Sequence, residues 1–132
     1  MLKSAAPAIF TTTQDGRGPG AILGPRGLVT AADPVSRGDV VAIYATGLGA
    51  VSPAAASGAP APSEALCRTT YTPVVNIGGV EAEVLFSGLA PGFIGLYQVN
   101  ARLRPHTPTG DNVPVVLQYG STSSNVVTLA IR

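Results

Sequence analysis

The sequence predicts an all-β domain, a sandwich of about seven to nine short strands. Two stretches alternate apolar and polar residues with a period of two, which is typical of half-buried antiparallel strands. Gly-Gly and Gly-Leu-Ala-Pro-Gly turns border these stretches, and no stretch shows a helical period. The apolar positions are Val80, Ala82, Val84 and Phe86 in the first stretch and Tyr97, Val99, Ala101 and Leu103 in the second.

Residues 1–37 are expected to form an extended N-terminal arm with some strand content. Ala8–Thr12 has the composition of a strand, and Gln14–Gly20 is rich in turn residues. Gly24-Pro25-Arg26-Gly27 joins two short apolar pieces, which predicts a small hairpin. We expect the arm to end near Ala32-Asp33-Pro34, because the residue before a proline is held extended.

The other strands are expected in one sandwich domain that spans residues 38–132. Gly38–Gly49 is apolar on both faces, which predicts a strand buried on both sides, with the arm covering its outer face. Val51–Glu64 is rich in Ala, Pro and Ser and is predicted to be a long loop, a class of segment that is often functional or mobile. The two closing strands are expected at Val113–Tyr119 and Val126–Ile131.

The low charge of the chain restricts its function. Only 11% of the 132 residues are charged, where about 25% is usual, and the net charge is +1. Nucleic-acid binding depends on clustered Lys and Arg, and the eight present are dispersed, so we expect no nucleic-acid partner. A surface with so few charges suggests a body that contacts neighbours or a matrix. The N-terminal residues lack the apolar run of a signal peptide, and no segment has the length of a transmembrane helix, so no membrane insertion is expected.

Side chains that could carry chemistry are few. The single cysteine, Cys67, excludes an internal disulfide and is interpreted as a small hydrophobe, since a reactive thiol would need the only histidine, His106, as its base. Glu81 and Glu83 could bind Ca²⁺ or serve acid–base chemistry, but alternating glutamates also keep an exposed strand face soluble. Asp111-Asn112 could contribute to a Ca²⁺ site or form a turn, and Asp15-Gly16-Arg17-Gly18 is interpreted as a turn.

Four segments, in this order along the chain, resemble the immunoglobulin-like domain of the IPT/TIG type: GDVVAIYATGLG at 38–49, VVNIGGVEAEVLFSG at 74–88, GLYQVNARL at 95–103 and PTGDNVPVVLQYGSTSSNVVTLAI at 108–131. The match is closer to a Solibacter-type C-terminal domain of secreted bacterial proteins, through the segments Pro7–Phe10, Tyr44–Gly49, Leu89–Gly92 and Gly95–Asn100. The resemblance implies an immunoglobulin-like sandwich in an extracellular or cell-surface setting. It also implies a role without catalysis, since no active site is agreed for that family.

From these features we expect a non-catalytic structural module that assembles with copies of itself, without cofactor or metal. In the hypothesis of strand donation, the arm adds to a sheet edge of a neighbouring copy, and repeated head-to-tail contacts form fibres. The residues expected to make this contact are Ala8, Ile9, Phe10, Thr11 and Thr12. A second contact patch is expected on the loop residues Pro91, Gly92, Phe93 and Ile94.

The alternative function is a module that binds carbohydrate or another surface. It would use the loops Val51–Glu64 and Leu89–Gly95 at the ends of the sandwich. Tyr71, Tyr97 and Tyr119 could stack on sugar rings, although the alternation of their strands places Tyr97 and Tyr119 in the core.

Overall fold

A computed structural model describes residues 7–12, 18–47, 51–52, 68–69, 72–90, 96–120 and 122–132. In these ranges the chain has no helix and forms two antiparallel sheets that pack face to face as a β-sandwich. This confirms the predicted fold class, and the immunoglobulin-like type stays a prediction. The strands are β1 (Ala8–Ile9), β2 (Ile22–Gly24), β3 (Gly27–Leu28), β4 (Val40–Thr46), β5 (Val51–Ser52), β6 (Arg68–Thr69), β7 (Val74–Ile77), β8 (Val80–Glu81), β9 (Glu83–Leu89), β10 (Tyr97–Arg102), β11 (Gly110–Tyr119), β12 (Thr122–Ser123) and β13 (Val127–Ile131).

The larger sheet has the strand order β3-β2-β4-β10-β9-β6-β5, and β1 also pairs with β4. The smaller sheet has the order β12-β11-β7-β8, with β13 pairing with β11. The core lies between the sheets, where alternate residues of each strand meet. Its most buried side chains are Ile22, Val41, Ile43, Val75, Ile77, Val99, Leu103, Val115, Leu117 and Val127.

The N-terminal segment is part of both sheets rather than an arm beside them. The predicted hairpin is present as β2 and β3, and β2 pairs with the edge of β4, with Ile22 opposite Ile43. The described part of the segment therefore extends the larger sheet and pairs with the edge of β4, whereas the sequence predicts that it covers the outer face of β4. Residues 18–20 and Val35 run beside β13, where Gly20 N donates to Thr128 O over 2.9 Å and Val35 N donates to Ala130 O over 3.1 Å. These bonds close one side of the sandwich.

The predicted single strand from Val80 to Phe86 is wrong, because the chain changes sheets at Ala82. β8 pairs with β7 in the smaller sheet, whereas β9 pairs with β10 in the larger one. The register of β9 then shifts, since Val84 lies opposite Ala101 and Phe86 opposite Asn100. Leu85 is the additional residue of this bulge, so Val84 packs against the core while Phe86 lies on the other face.

Candidate interaction surface

The strand predicted to be donated to a neighbour is held within its own chain. Ala8 lies opposite Thr46 and Ile9 opposite Ala45 on β4. Ile9 belongs to the core and is only 2% exposed, and Thr11 is buried too. Donation to another copy would therefore require β1 to leave β4 first.

Asn125 fixes β1 from the side opposite β4. Phe10 N donates to Tyr44 O over 3.0 Å, and the neighbouring Ile9 directs its own N–H and C=O away from β4. Ile9 N donates to Asn125 Oδ1 over 2.7 Å, and Asn125 Nδ2 donates to Ile9 O over 3.0 Å. One side-chain amide thus replaces a strand neighbour and satisfies both main-chain groups of Ile9.

The position of Asn125 is itself fixed by the turn before β13. Ser124 exchanges two bonds with Leu117 of β11: Leu117 N donates to Ser124 Oγ over 2.9 Å, and Ser124 N donates to Leu117 O over 2.8 Å. Asn125, which follows directly, therefore reaches from the smaller sheet to the strand of the larger one.

The sheet face that points away from the core is the strongest candidate for contact with a partner. Because residues opposite each other on neighbouring strands share a face, the register of the larger sheet identifies the side chains on this face. We call it the outer face and define it by Phe10, Leu23, Leu28, Ala42, Tyr44, Phe86, Gln98 and Asn100.

One half of the outer face is apolar and accessible. Phe10 is 44% exposed, Leu23 38% and Leu28 45%. Leu23 lies opposite both Leu28 and Ala42, and Phe10 adjoins Tyr44 on the same edge of β4. Exposed large apolar side chains are ordinary when single, but a contiguous group of them marks a contact surface.

The centre of the outer face carries a pair of amides. Gln98 Nε2 donates to Asn100 Oδ1 over 2.9 Å, so the two side chains orient each other along β10. Tyr44 lies opposite Gln98 on one neighbouring strand, and Phe86 lies opposite Asn100 on the other. Each amide therefore has an aromatic side chain beside it.

The outer face carries little charge. At its end Arg102 Nη1 contacts Glu83 Oε1 at 3.3 Å, and these two residues lie opposite each other in the sheet. Arg26, in the β2–β3 turn, also forms an ion pair, with Asp33. Among the register positions that the structure describes, Arg68 of β6 also lies on this face, since it is opposite Gly88, which in turn is opposite Gln98.

The other predicted chemical groups are not brought together. Glu81 lies on β8 of the smaller sheet and Glu83 on β9 of the larger sheet, so they do not form the expected pair on one strand face. Asp111 and Asn112 lie at the start of β11 and are exposed, and His106 lies in an exposed turn. Within the described ranges, no three His, Cys, Asp or Glu residues form a group that could hold a metal ion.

Tyr97 and Tyr119, which the alternation predicts to face the core, do face it. Tyr119 is buried in the core cluster, and Tyr97 is half-buried and packs against it. Burial, and to a smaller extent the neighbouring Tyr119, raises the pKa of the Tyr97 phenol above 10.0. These rings are therefore not positioned to stack on a sugar.

Several predicted features lie outside the described residues. They are the contact patch Pro91–Ile94, the greater part of the Val51–Glu64 loop, Cys67, Tyr71 and the Asp15-Gly16-Arg17 turn. The expectations for these residues stay predictions.

A cavity of about 410 Å³ lies beside β13, and Leu28 of the outer face forms part of its wall. Its walls include the hydroxyl-bearing residues Thr12, Thr30 and Thr128 and the apolar residues Val29 and Ala130. Thr12 Oγ1 already donates to Pro19 O, and Thr30 Oγ1 accepts a bond from Asp33 N, so two of the three hydroxyl groups serve the fold.

No protein-family model, curated protein or solved structure matches the chain. No helix in the described ranges has the length and apolar character needed to cross a bilayer.

Sequence reasoning missed the outer face and the role of Asn125. The signals for the face were the apolar character of both sides of Val40–Thr46 and the two amides at alternate positions, Gln98 and Asn100. Recognising the face required the pairing of β4 with β10, which brings these residues together from distant parts of the chain. No sequence pattern identifies Asn125, whose bond partner lies 116 positions away.

Proposed function

We propose that this protein is a non-catalytic interaction module of an extracellular or cell-surface protein and that it works through the outer face. The observation that carries the proposal is the exposure of Phe10, Leu23 and Leu28 together on one half of this face. Burial of apolar surface contributes about 25 cal/mol per Å². The outer-face register positions of β1, β2, β3 and β4 are uncharged, so burial of this half of the face removes no charge from water.

The absence of catalysis is supported by the dispersal of the described titratable groups. Acid–base catalysis needs such a group within hydrogen-bond reach of the reacting atoms, together with a partner that tunes or orients it. His106 lies in a turn, Glu81 lies on β8, and Asp111 lies at the start of β11. These three groups lie on different parts of the fold, so no two of them could act on one bound substrate.

The second candidate is assembly with copies of the same chain, which the exposure of Phe10 on the N-terminal strand segment favours. Because β1 already pairs with β4, strand donation would take the form of an exchange. Ile9 of each copy would then bond Asn125 of the other copy. The contacts that form within one chain would form between two chains. An exchange that does not close on itself would produce fibres.

The experiment compares a variant of the outer face with a matched control. Sedimentation velocity over a concentration series and retention on immobilised polysaccharides are measured for the native chain, for the double variant Phe10→Ser/Leu23→Ser and for Val126→Ser. Val126 is 57% exposed and precedes β13 of the smaller sheet. The Val126→Ser variant therefore removes exposed apolar surface that is not part of the outer face.

We expect the double variant to weaken self-association or retention by about tenfold, and Val126→Ser to leave both unchanged. The proposal is wrong if the native chain shows neither activity, or if the two variants weaken it equally.

A further inference from the structure

We propose that the cavity beside β13 binds one or two rings of an uncharged sugar, which accept a hydrogen bond from the main-chain N–H of Ala130. The inference goes beyond the proposed function, because it assigns a second site that can be occupied whether or not the outer face has a partner. The volume of about 410 Å³ lies at the lower end of small-molecule sites, which range over about 300–1,000 Å³.

The hydrogen bonds along one edge of β13 are interrupted at Ala130. On the edge that faces away from β11, Gly20 N donates to Thr128 O and Thr128 N donates to Gly18 O, each over 2.9 Å. Farther along, Val35 N donates to Ala130 O over 3.1 Å. The N–H and C=O of one strand residue point to the same side, so the Ala130 N–H also points towards the N-terminal segment. No main-chain bond between β13 and the described part of that segment uses this N–H.

The interruption falls at the cavity, because Thr128 and Ala130 both line its wall. The N-terminal segment leaves β13 after Gly20 to form β2 and β3, and it returns at Val35. Ala130 is only 5% exposed, so bulk water has little access to its N–H. A buried donor is costly to leave unpaired, and a ligand oxygen that accepts from it removes this cost.

Other polar groups of the wall can bond the same ligand. Thr128 Oγ1 forms no hydrogen bond among the contacts that the structure describes, and Thr30 Oγ1 accepts from Asp33 N, which leaves the hydroxyl proton of Thr30 to donate. Asp111 and Asn112 also line the cavity. The wall therefore offers hydroxyl, carboxylate and amide groups, which between them donate and accept.

The strand register brings the carboxylate side of the cavity close to the interruption. Gly110 lies opposite Ile131 and Val113 lies opposite Leu129, so the two residues of the β11 bulge between them, 111 and 112, lie opposite Ala130. Neighbouring strands are about 5 Å apart. A single sugar ring spans this distance and can contact both strands.

The combination of a main-chain donor and a carboxylate selects an uncharged ligand. The carboxylate of Asp111 repels an anion, and the Ala130 N–H points the positive end of its dipole at a cation. Each hydroxyl of a sugar both donates and accepts, so adjacent hydroxyls of one ring can accept from Ala130 and donate to Asp111. The C–H face of the ring would pack on the apolar wall residues Leu28 and Val29.

Leu28 belongs both to the cavity wall and to the outer face. An oligosaccharide longer than the cavity would leave it over Leu28 and continue towards Leu23, which lies opposite Leu28. Short sugars therefore test the cavity alone, and only longer chains should be sensitive to Leu23.

The experiment measures amide NMR shifts and amide hydrogen exchange of the native chain with short sugars. The neutral probes are glucose, galactose, mannose, xylose, cellobiose and lactose, and the charged probes are glucosamine and glucuronic acid. Thr128→Val removes one hydroxyl of the wall at nearly constant shape. Thr122→Val is the matched control, because Thr122 is an exposed threonine on β12 of the same sheet. Urea unfolding verifies that each variant is folded.

We expect at least one neutral sugar to shift the amides of Thr128 and Ala130 and to slow exchange of the Ala130 amide about tenfold. Thr128→Val should weaken binding about tenfold, and Thr122→Val should leave it unchanged. Glucuronic acid should bind the native chain about tenfold more weakly than glucose, and Asp111→Asn should remove this difference.

The inference is overturned if no neutral sugar shifts these amides, if a charged ring binds more tightly than every neutral one, or if binding leaves exchange at Ala130 unchanged. Equal losses in the two threonine variants would also overturn it. Self-association or polysaccharide retention that depends on Phe10 and Leu23, without sugar binding in the cavity, would overturn this inference alone. Sugar binding in the cavity with neither of those activities would overturn the proposed function alone.

Discussion

The clearest energetic consequence of the fold is the dependence of β1 on one side chain. Asn125→Ala removes two hydrogen bonds, of 2.7 and 3.0 Å, and leaves the N–H and C=O of Ile9 without a protein partner. Each bond contributes about 1 kcal/mol net, and partly buried groups that lose their partner add to the cost. We therefore expect the free energy of unfolding to fall by about 2–3 kcal/mol. For a domain of this size the midpoint of thermal unfolding falls by roughly 6–12 °C.

The assay is urea and thermal unfolding of Asn125→Ala, with amide hydrogen exchange to locate the effect. The Ile9 amide, which donates to Asn125, should lose protection first, and the amide of Phe10 should follow as β1 leaves β4. Asn76→Ala is the matched control. Among the contacts described, the side-chain amide of Asn76 bonds the side chain of Gln118 and no main-chain group, unlike that of Asn125. Its removal should cost less than about 1 kcal/mol.

Two results would refute this reasoning. One is an unfolding free energy for Asn125→Ala within about 0.5 kcal/mol of the native chain, which is the range of ordinary surface substitutions. The other is a loss of exchange protection spread over the whole sheet with no early change at Ile9.

Three further predictions concern the turns, the core and the surface. At the β7–β8 turn, Gly78→Ala should cost about 2–4 kcal/mol and Gly79→Ala about 1 kcal/mol in urea unfolding, because both have positive φ but only a Cβ at Gly78 would meet neighbouring atoms, at 2.9 Å; equal costs would contradict this. Because the pKa of Tyr97 is raised, the stability linked to it is present below pH 10 and lost as the pH rises further, and Tyr97→Phe should weaken this loss in unfolding curves taken over that range. Glu83→Gln should change the unfolding free energy by less than about 1 kcal/mol, since its bond to Arg102 is exposed to solvent, and a larger loss in the same assay would show that the pair is not screened.

The fold class was predictable because the alternation of apolar residues reflects burial directly. Val99, Ala101 and Leu103 alternate in the sequence and are buried in the structure. The same reasoning failed from Ala82 to Phe86, although the alternation looks continuous there. A change of sheet and a bulge each alter the direction of side chains without altering the apolar pattern, so periodicity cannot reveal them.

The candidate surface was not predictable from local pattern, because it arises from pairing between distant strands. Tyr44 and Gln98 become neighbours only when β4 pairs with β10. The apolar character of both faces of β4 predicts burial on both sides. In the structure Ala42 and Tyr44, which point away from the core, are only half-buried, because the described N-terminal strands pair with the edge of β4.

The most direct test of the central claim is an amide-resolved NMR titration of the native chain with oligosaccharides, repeated as a dilution series without them. The claim predicts that the amides that shift cluster at Phe10, Leu23, Leu28 and Tyr44, whichever partner is bound. Shifts confined to β11 and β13, or to the cavity beside β13, would contradict the assignment of the outer face as the working surface of this protein.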